Sequence, residues 1–300
     1  MNPIHQLLTS ALSFFPKPFV KPFAMHYIAG EKLDDAVRVV RTLNSKKMMA
    51  TLDVLGENVS TRGECLMSVR ACERVLHAIH EHRLNGNLSL KLTQLGLTID
   101  EEFCASNVRS VLEIARDYGN FVRIDMEDSS TTSATLKLYE RLRSDGFENV
   151  GIVIQANLRR SEDDMKRLLP LKANVRLCKG AYAEPETLAF TGRDEIRSNY
   201  LRLLNVLLSA KCYVGIATHD EVLLQSSLQI LQEKHFEKAS YEFQMLHGVK
   251  TTLRGHLVES GHRLRVYVPF GEQWHAYSMR RFKENPRLAS TVLRALFSQD

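Results

Sequence analysis

The stretch FVRIDMEDSSTTSATLKLYERLRSDGFENVGIVIQA, residues 121–156, decides the fold, because it is one unit of a repeat. It opens on an apolar, β-branched run, passes through the helix-like segment SATLKLYERLRSDG and returns to a second apolar run, VGIVIQA. Near-continuous apolar strands separated by helices indicate a parallel sheet, since such a sheet is covered on both faces. The same alternation extends in both directions. Candidate strands occupy 48–55, 88–93, 121–126, 150–156, 174–179, 213–218, 241–246 and 263–269. Gly119 and Gly146 fall where helix C-caps are expected, and Ser161 with Asp164 reads as a helix start. About eight βα units in succession close into a barrel. The expected fold is therefore α/β, a (βα)8 TIM-type barrel over residues 46–300. Residues 1–45 precede the repeat as an N-terminal helical extension, in which EKLDDAVRVVRTLNSKK predicts a helix leading into the first strand.

Composition narrows the classes. The 300 residues carry 40 Lys and Arg against 35 Asp and Glu, for a net charge of +5. No basic cluster is interleaved with aromatics, so no nucleic-acid partner is expected. The cysteines (Cys65, Cys72, Cys104, Cys178 and Cys212) are odd in number and lack CxxC spacing. That argues for a reducing, cytoplasmic location and against a zinc site. No run reaches the ~18 uncharged apolar residues of a membrane span. The apolar stretch QLLTSALSFF is followed by Lys17, Lys21 and prolines without an A-x-A cleavage pattern, so a packed helix or a membrane-surface contact is expected rather than a signal peptide. The absence of HExxH and His-x-His motifs leaves no metal site expected. Without GxGxxG or a P-loop, any nucleotide must be held by barrel loops.

Catalytic groups of such a barrel gather at the C-terminal ends of the strands. Polar residues stand at all eight: Asp53 and GEN (56–58); Lys91 and Thr93; Asp125, Glu127 and Asp128; Gln155; Arg176, Lys179, Gly180 and Tyr182; Thr218, His219 and Asp220; Gln244; and Tyr267. Beyond them lies YSMRRFKEN. If helical, its Tyr277, Arg280, Arg281 and Glu284 share one face at i, i+3, i+4 and i+7. Adjacent guanidiniums need anions, and a carboxylate or phosphate gripped bidentately suits them. The bland alternative is a solvated surface helix. Together, Lys91, Arg176, Lys179, Arg280 and Arg281 point to an anionic ligand, or two.

The runs TLDVLGENV, LSLKLTQLG, VRIDMEDS, GIVIQANLRR, VRLCKGAY, ATHD, FQMLHGV, VYVPFG and YSMRRFKEN resemble the successive strand-end motifs of the proline dehydrogenase family. The likeness covers roughly residues 30–290, and in size the chain is similar to the short, monofunctional bacterial form. It implies an FAD enzyme that oxidises L-proline to Δ1-pyrroline-5-carboxylate, the first step of proline catabolism. Hydride would pass to flavin N5 and electrons onward to a membrane quinone, which implies peripheral membrane contact. It also implies roles. Lys91, Arg280 and Arg281 would meet the substrate carboxylate, with Asp125 shaping that clamp through ion pairs. Tyr267, Tyr277, Leu246 and Tyr182 would enclose the proline ring. Gln155, Arg176, Cys178, Lys179, Gly180, Ala181, Thr218, His219 and Glu284 would hold FAD, with Arg176 towards N5. Three positions depart from the family pattern: Asn157 after QA, Asp220 in ATHD, and Cys178 in place of an aliphatic residue. Two other readings compete. One is a Schiff-base aldolase using Lys91 or Lys179, and the other is a barrel that only binds an anion.

Overall fold

The computed structural model describes residues 21, 24–56 and 59–284, with the side chains of 280–284 outside that description. Eight parallel strands form a closed barrel in sequence order, β8 pairing back onto β1. They are β1 Met49–Val54, β2 Gly86–Leu90, β3 Val122–Ile124, β4 Val150–Gln155, β5 Asn174–Cys178, β6 Tyr213–Ala217, β7 Tyr241–Leu246 and β8 Leu264–Phe270. Helix α1 Leu33–Ser45 precedes β1. The helices α2 Arg62–Glu81, α3 Glu101–Asp117, α4 Ser129–Ser144, α5 Ser161–Leu168, α6 Arg193–Ser209, α7 Glu221–Glu233, α8 Thr251–Glu259 and α9 Trp274–Glu284 follow the strands in turn. The expected (βα)8 architecture is what the chain adopts.

Local chemistry sets the element ends. A reciprocal capping box joins Thr61 and Glu64 at the start of α2, and Asp100 accepts from two backbone N–H groups at the start of α3. Gly119 and Gly146 follow the ends of α3 and α4 at φ +62 and +88, the left-handed conformation that ends helices. Helix α5 does begin at Ser161. There the Ser161 hydroxyl donates to the Gln155 carbonyl, while Asp164 is gripped by Arg160. Helix α1, within the expected extension, buries Ala36, Val37, Val40 and Leu43 in the same core as the barrel.

The second strand is displaced from its expected span. It ends at Leu90, and the Thr93 N–H turns away from the ladder to the Glu127 carboxylate at 3.1 Å. Lys91 therefore stands just past the strand, on the rim. The Asp125 N–H extends the β3 ladder by one bond, to the Leu90 carbonyl at 2.8 Å. Between mouth and base the barrel is not filled by aliphatic side chains alone, because Arg123, Arg176, Glu242 and Gln244 are buried there as well.

Candidate active site

A cavity of about 330 Å³ opens at the C-terminal ends of the strands. Its floor is a buried cluster of charges. Lys91 at the end of β2 places Nζ 3.0 Å from both carboxylate oxygens of Asp53 on β1. The same ammonium lies 3.5 Å from Asp125 Oδ2 and 3.4 Å from the Tyr267 hydroxyl. Asp125 accepts from Arg176 Nη1 at 2.6 Å, Ser89 Oγ at 2.7 Å and Tyr267 OH at 2.8 Å. Arg176 also donates through Nε to Gln244 at 2.6 Å, and its guanidinium lies 5.1 Å from the Tyr267 ring centre. Asp53, Lys91, Asp125 and Arg176 thus cancel in charge. The two carboxyls nevertheless differ. Burial pushes Asp53 up, and Asp125 adds to this, against the pull of Lys91. Burial pushes Asp125 up too, but Arg176, Lys91, Ser89 and Tyr267 outweigh it and hold that carboxyl below its ordinary value.

The wall from β4 to β6 is of different character. Gln155 donates to the Glu127 carbonyl at 2.8 Å, and the Cys178 thiol faces the Ile154 carbonyl at 3.6 Å. Lys179 pairs with Asp220 at 3.1 Å, and Arg197 grips the same carboxylate at 2.8 and 3.0 Å. Asp220 also caps α7 by accepting from the Val222 N–H. Its carboxyl is raised by burial but drawn down to about 2 by Arg197 and Lys179. His219 accepts the Leu246 N–H on Nε2 at 2.8 Å, which leaves the ring proton on Nδ1. Gly180 sits at φ +105, and a Cβ there would lie 1.9 Å from Asn157 Oδ1. The glycine thus makes room for Asn157, whose buried Oδ1 has no hydrogen-bond partner among the described residues.

A model of the family described as proline dehydrogenase matches residues 36–294. The chain belongs to the proline dehydrogenase family. It is an oxidoreductase of proline catabolism. Proline dehydrogenase 1 of Bacillus subtilis is 37% identical over 276 residues, 92% of this chain and 91% of that one. The proline dehydrogenase of Deinococcus radiodurans is 34% identical over 277 residues, covering 91% and 89%. Among solved structures, proline utilization A from Bdellovibrio bacteriovorus, inactivated by N-propargylglycine, is similar with a TM-score of 0.81 at 26% identity. That match covers 89% of this chain and 33% of the other, so the chain spans about a third of that longer protein.

Most residues that the proline dehydrogenase likeness singles out meet in the one cavity. Lys91, Asp125, Gln155, Arg176, Cys178 and Lys179 line it, as do Gly180, Ala181, Tyr182, Thr218, His219, Leu246, Tyr267 and Tyr277. The side chains of Arg280, Arg281 and Glu284 lie outside the described residues, as do Glu57, Asn58, Asn285 and the QLLTSALSFF stretch. The sequence reading put Asp53 and Gln244 at strand ends without a role, and it passed over Ser89. A carboxylate inside the apolar run TLDVL was the available signal for Asp53, because a buried acid requires a cation. Both lysines open to a Schiff-base reading are ion-paired. A nucleophilic amine must shed its proton, and a carboxylate partner opposes that.

Proposed function

We propose that the chain oxidises L-proline to Δ1-pyrroline-5-carboxylate with FAD held in the barrel mouth, and passes the electrons to a membrane quinone. The observation that carries the reading is the charge-neutral cluster of Asp53, Lys91, Asp125 and Arg176, sharing one cavity with a separate wall of polar donors. The residues present fit a flavin. Gln155, Arg176, Lys179, Thr218 and His219 offer polar contacts beside apolar Val153, Met126 and Met245, the mixture that a flat ring with a polar edge requires. Ala181, Cys178 and Gly180 complete that wall, and Glu284 belongs to the same proposed set. When bound, FAD would supply the hydride acceptor.

The remaining work falls to the chain's own groups. Tyr267, Tyr277, Leu246 and Tyr182 give proline an enclosing surface that excludes water. Arg176 is held by Asp125 and Gln244, so it presents a fixed cation to the cavity without reorganising. A substrate carboxylate brings one negative charge into a floor that is already neutral, so binding needs additional cations. Tyr277 lines the cavity, and Arg280 and Arg281 follow it at i+3 and i+4 on α9. We assign the carboxylate to that pair, with Lys91 as third donor and Asp125 and Asp53 orienting Lys91.

In this reading residues 46–300 are the catalytic barrel and 1–45 an accessory extension of a cytoplasmic protein in peripheral contact with the membrane. Among the described residues no helix is long and apolar enough to cross a membrane. An absorbance spectrum taken anaerobically before and after L-proline tests the proposal. The expected outcome is a flavin spectrum that proline bleaches, with FAD released on denaturation. Folded protein that carries no flavin and takes up none from added FAD would overturn it.

A further inference from the structure

The barrel has a second cavity at its opposite end, about 290 Å³, where the strands begin. Three guanidiniums line it, those of Arg123, Arg263 and Arg265, against the single carboxylate of Glu242. That carboxylate is already committed. Arg265 grips it through Nε at 2.6 Å and Nη2 at 3.1 Å, and Tyr213 donates to it at 2.7 Å.

Arg123 forms no close ion pair among the described residues, and Glu242 acts on it only from a distance. It is 2% exposed, and its bonds go only to neutral acceptors: the Ile152 carbonyl at 2.9 Å, and the Asn174 carbonyl and amide oxygen at 2.5 Å each. Among the described residues its buried Nε has no hydrogen-bond partner, and no carboxylate forms an ion pair with it. Burial, with repulsion from Arg176 behind it and against the weaker pull of Glu242, draws the guanidinium down to about 9, so it remains a cation at neutral pH. A buried cation with no paired carboxylate is costly, and arginine cannot escape by shedding its proton as a lysine can. Gly151 reserves the space, since a Cβ there would lie 2.4 Å from Arg123 Nη1. The neighbours are donors as well. The Asn87 amide oxygen is taken by the Thr51 hydroxyl at 2.5 Å, which leaves its NH2 to meet an acceptor.

We propose that this basal cavity binds a small oxyanion, with Arg123 at its base and Arg263 at its exposed rim. Phosphate, sulfate and a small carboxylate share the required chemistry: one or two negative charges and several acceptor oxygens. The site is remote from the mouth cavity and stands whether or not the proline reading does.

Calorimetric titration of the full chain with inorganic phosphate, sulfate or acetate, at ionic strength held constant with sodium chloride, tests it. Saturable one-to-one binding of at least one of the three is expected, and their order identifies the class. Asn174→Asp supplies Arg123 with a carboxylate in direct contact, in an isosteric side chain. It should raise the melting temperature and weaken the anion roughly ten- to a hundredfold, the effect of one charged hydrogen bond. Arg263→Glu, on an exposed side chain, should weaken it in the same direction while the melting curve stays cooperative. No saturable heat with any of the three anions overturns the site. Undiminished affinity in Asn174→Asp does so too, since it would place the anion elsewhere, the mouth cavity included.

Discussion

Asp53 has no exposed surface, and its charge is met chiefly by Lys91, which lies 3.0 Å from both of its oxygens, with support from the Tyr267 hydroxyl. Removing one member of a buried pair strands the other, which typically costs about 3–5 kcal/mol, while removing both costs far less than the sum. Asp53→Asn is therefore expected to destabilise by several kcal/mol, because Lys91 loses its charged partner at 3.0 Å and is left with longer contacts such as those to Asp125 and Tyr267. Lys91→Met should do the same, and the double variant should lose clearly less than the two singles added. Urea unfolding of the four proteins measures the coupling, and strict additivity would show that the pair is not a unit. Lys91 was legible as a cation at a strand end, and Asp53 as a carboxylate in the same mouth. Their mutual contact was not legible, because it depends on the register of β1 against β2, which pairs Asp53 with Ser89 and leaves Lys91 to reach back across the rim.

At the scale of single elements, Asp220 shows how one residue serves a helix and the site together. It caps α7, where its side chain accepts the Val222 N–H, and it anchors Lys179 at the cavity wall and Arg197 of α6. Asn keeps the cap but loses the ion pairs, whereas Ala loses both. Asp220→Ala is expected to be less stable than Asp220→Asn by about 1 kcal/mol, the usual value of an N-cap. The pH dependence separates the charge. The carboxyl is depressed to about 2 in the folded chain. Its stabilisation is therefore complete above the ordinary carboxylate range near ~3.9 and is lost as pH falls through about 2. The gap between the parent and Asp220→Asn should accordingly be widest at neutral pH and close on acidification, as read by thermal melts at stepped pH. A gap that widens in acid would reverse the assignment. The elements themselves were legible in the sequence because apolar runs and helical periods alternate over the whole repeat, although β2 begins and ends earlier than its apolar run indicates. The polar lining was partly legible. Asn174, Arg176 and Cys178 on β5, and Glu242 and Gln244 on β7, alternate at period two on the inward face. Which of them meet across the barrel is set by strand stagger, and no local pattern carries that.

Across the whole molecule those inward residues join into one line from mouth to base. Asp125 meets Arg176 at 2.6 Å, Arg176 meets Gln244 at 2.6 Å, Gln244 donates to Glu242 at 2.7 Å, and Arg265 closes on Glu242 at 2.6 Å. A polar axis of that kind fits inside eight strands only where some inward positions carry no side chain. A Cβ at Gly215 would lie 2.4 Å from Gln244 Nε2, the end of a side chain engaged on both sides. A Cβ at Gly151 would lie 2.4 Å from Arg123 Nη1, 2.5 Å from Phe121 Cζ and 2.6 Å from the Asn174 carbonyl, which is backbone and cannot swing aside. Gly255, within α8, has nothing within 4 Å. These three glycines should respond to alanine in opposite senses. Gly255→Ala is expected to stabilise by about 0.5–1 kcal/mol, because it removes only backbone freedom from the unfolded chain. Gly215→Ala should cost about 1–3 kcal/mol, the range for overpacking or for one buried hydrogen bond forfeited, and should loosen Arg176 at the mouth. Gly151→Ala should cost the most, since relief requires the barrel wall itself to move. Urea unfolding gives the order directly. Equal, small effects at Gly151 and Gly215 would mean that the axis has slack, and the line of contacts from Asp125 to Arg265 would then not constrain the site.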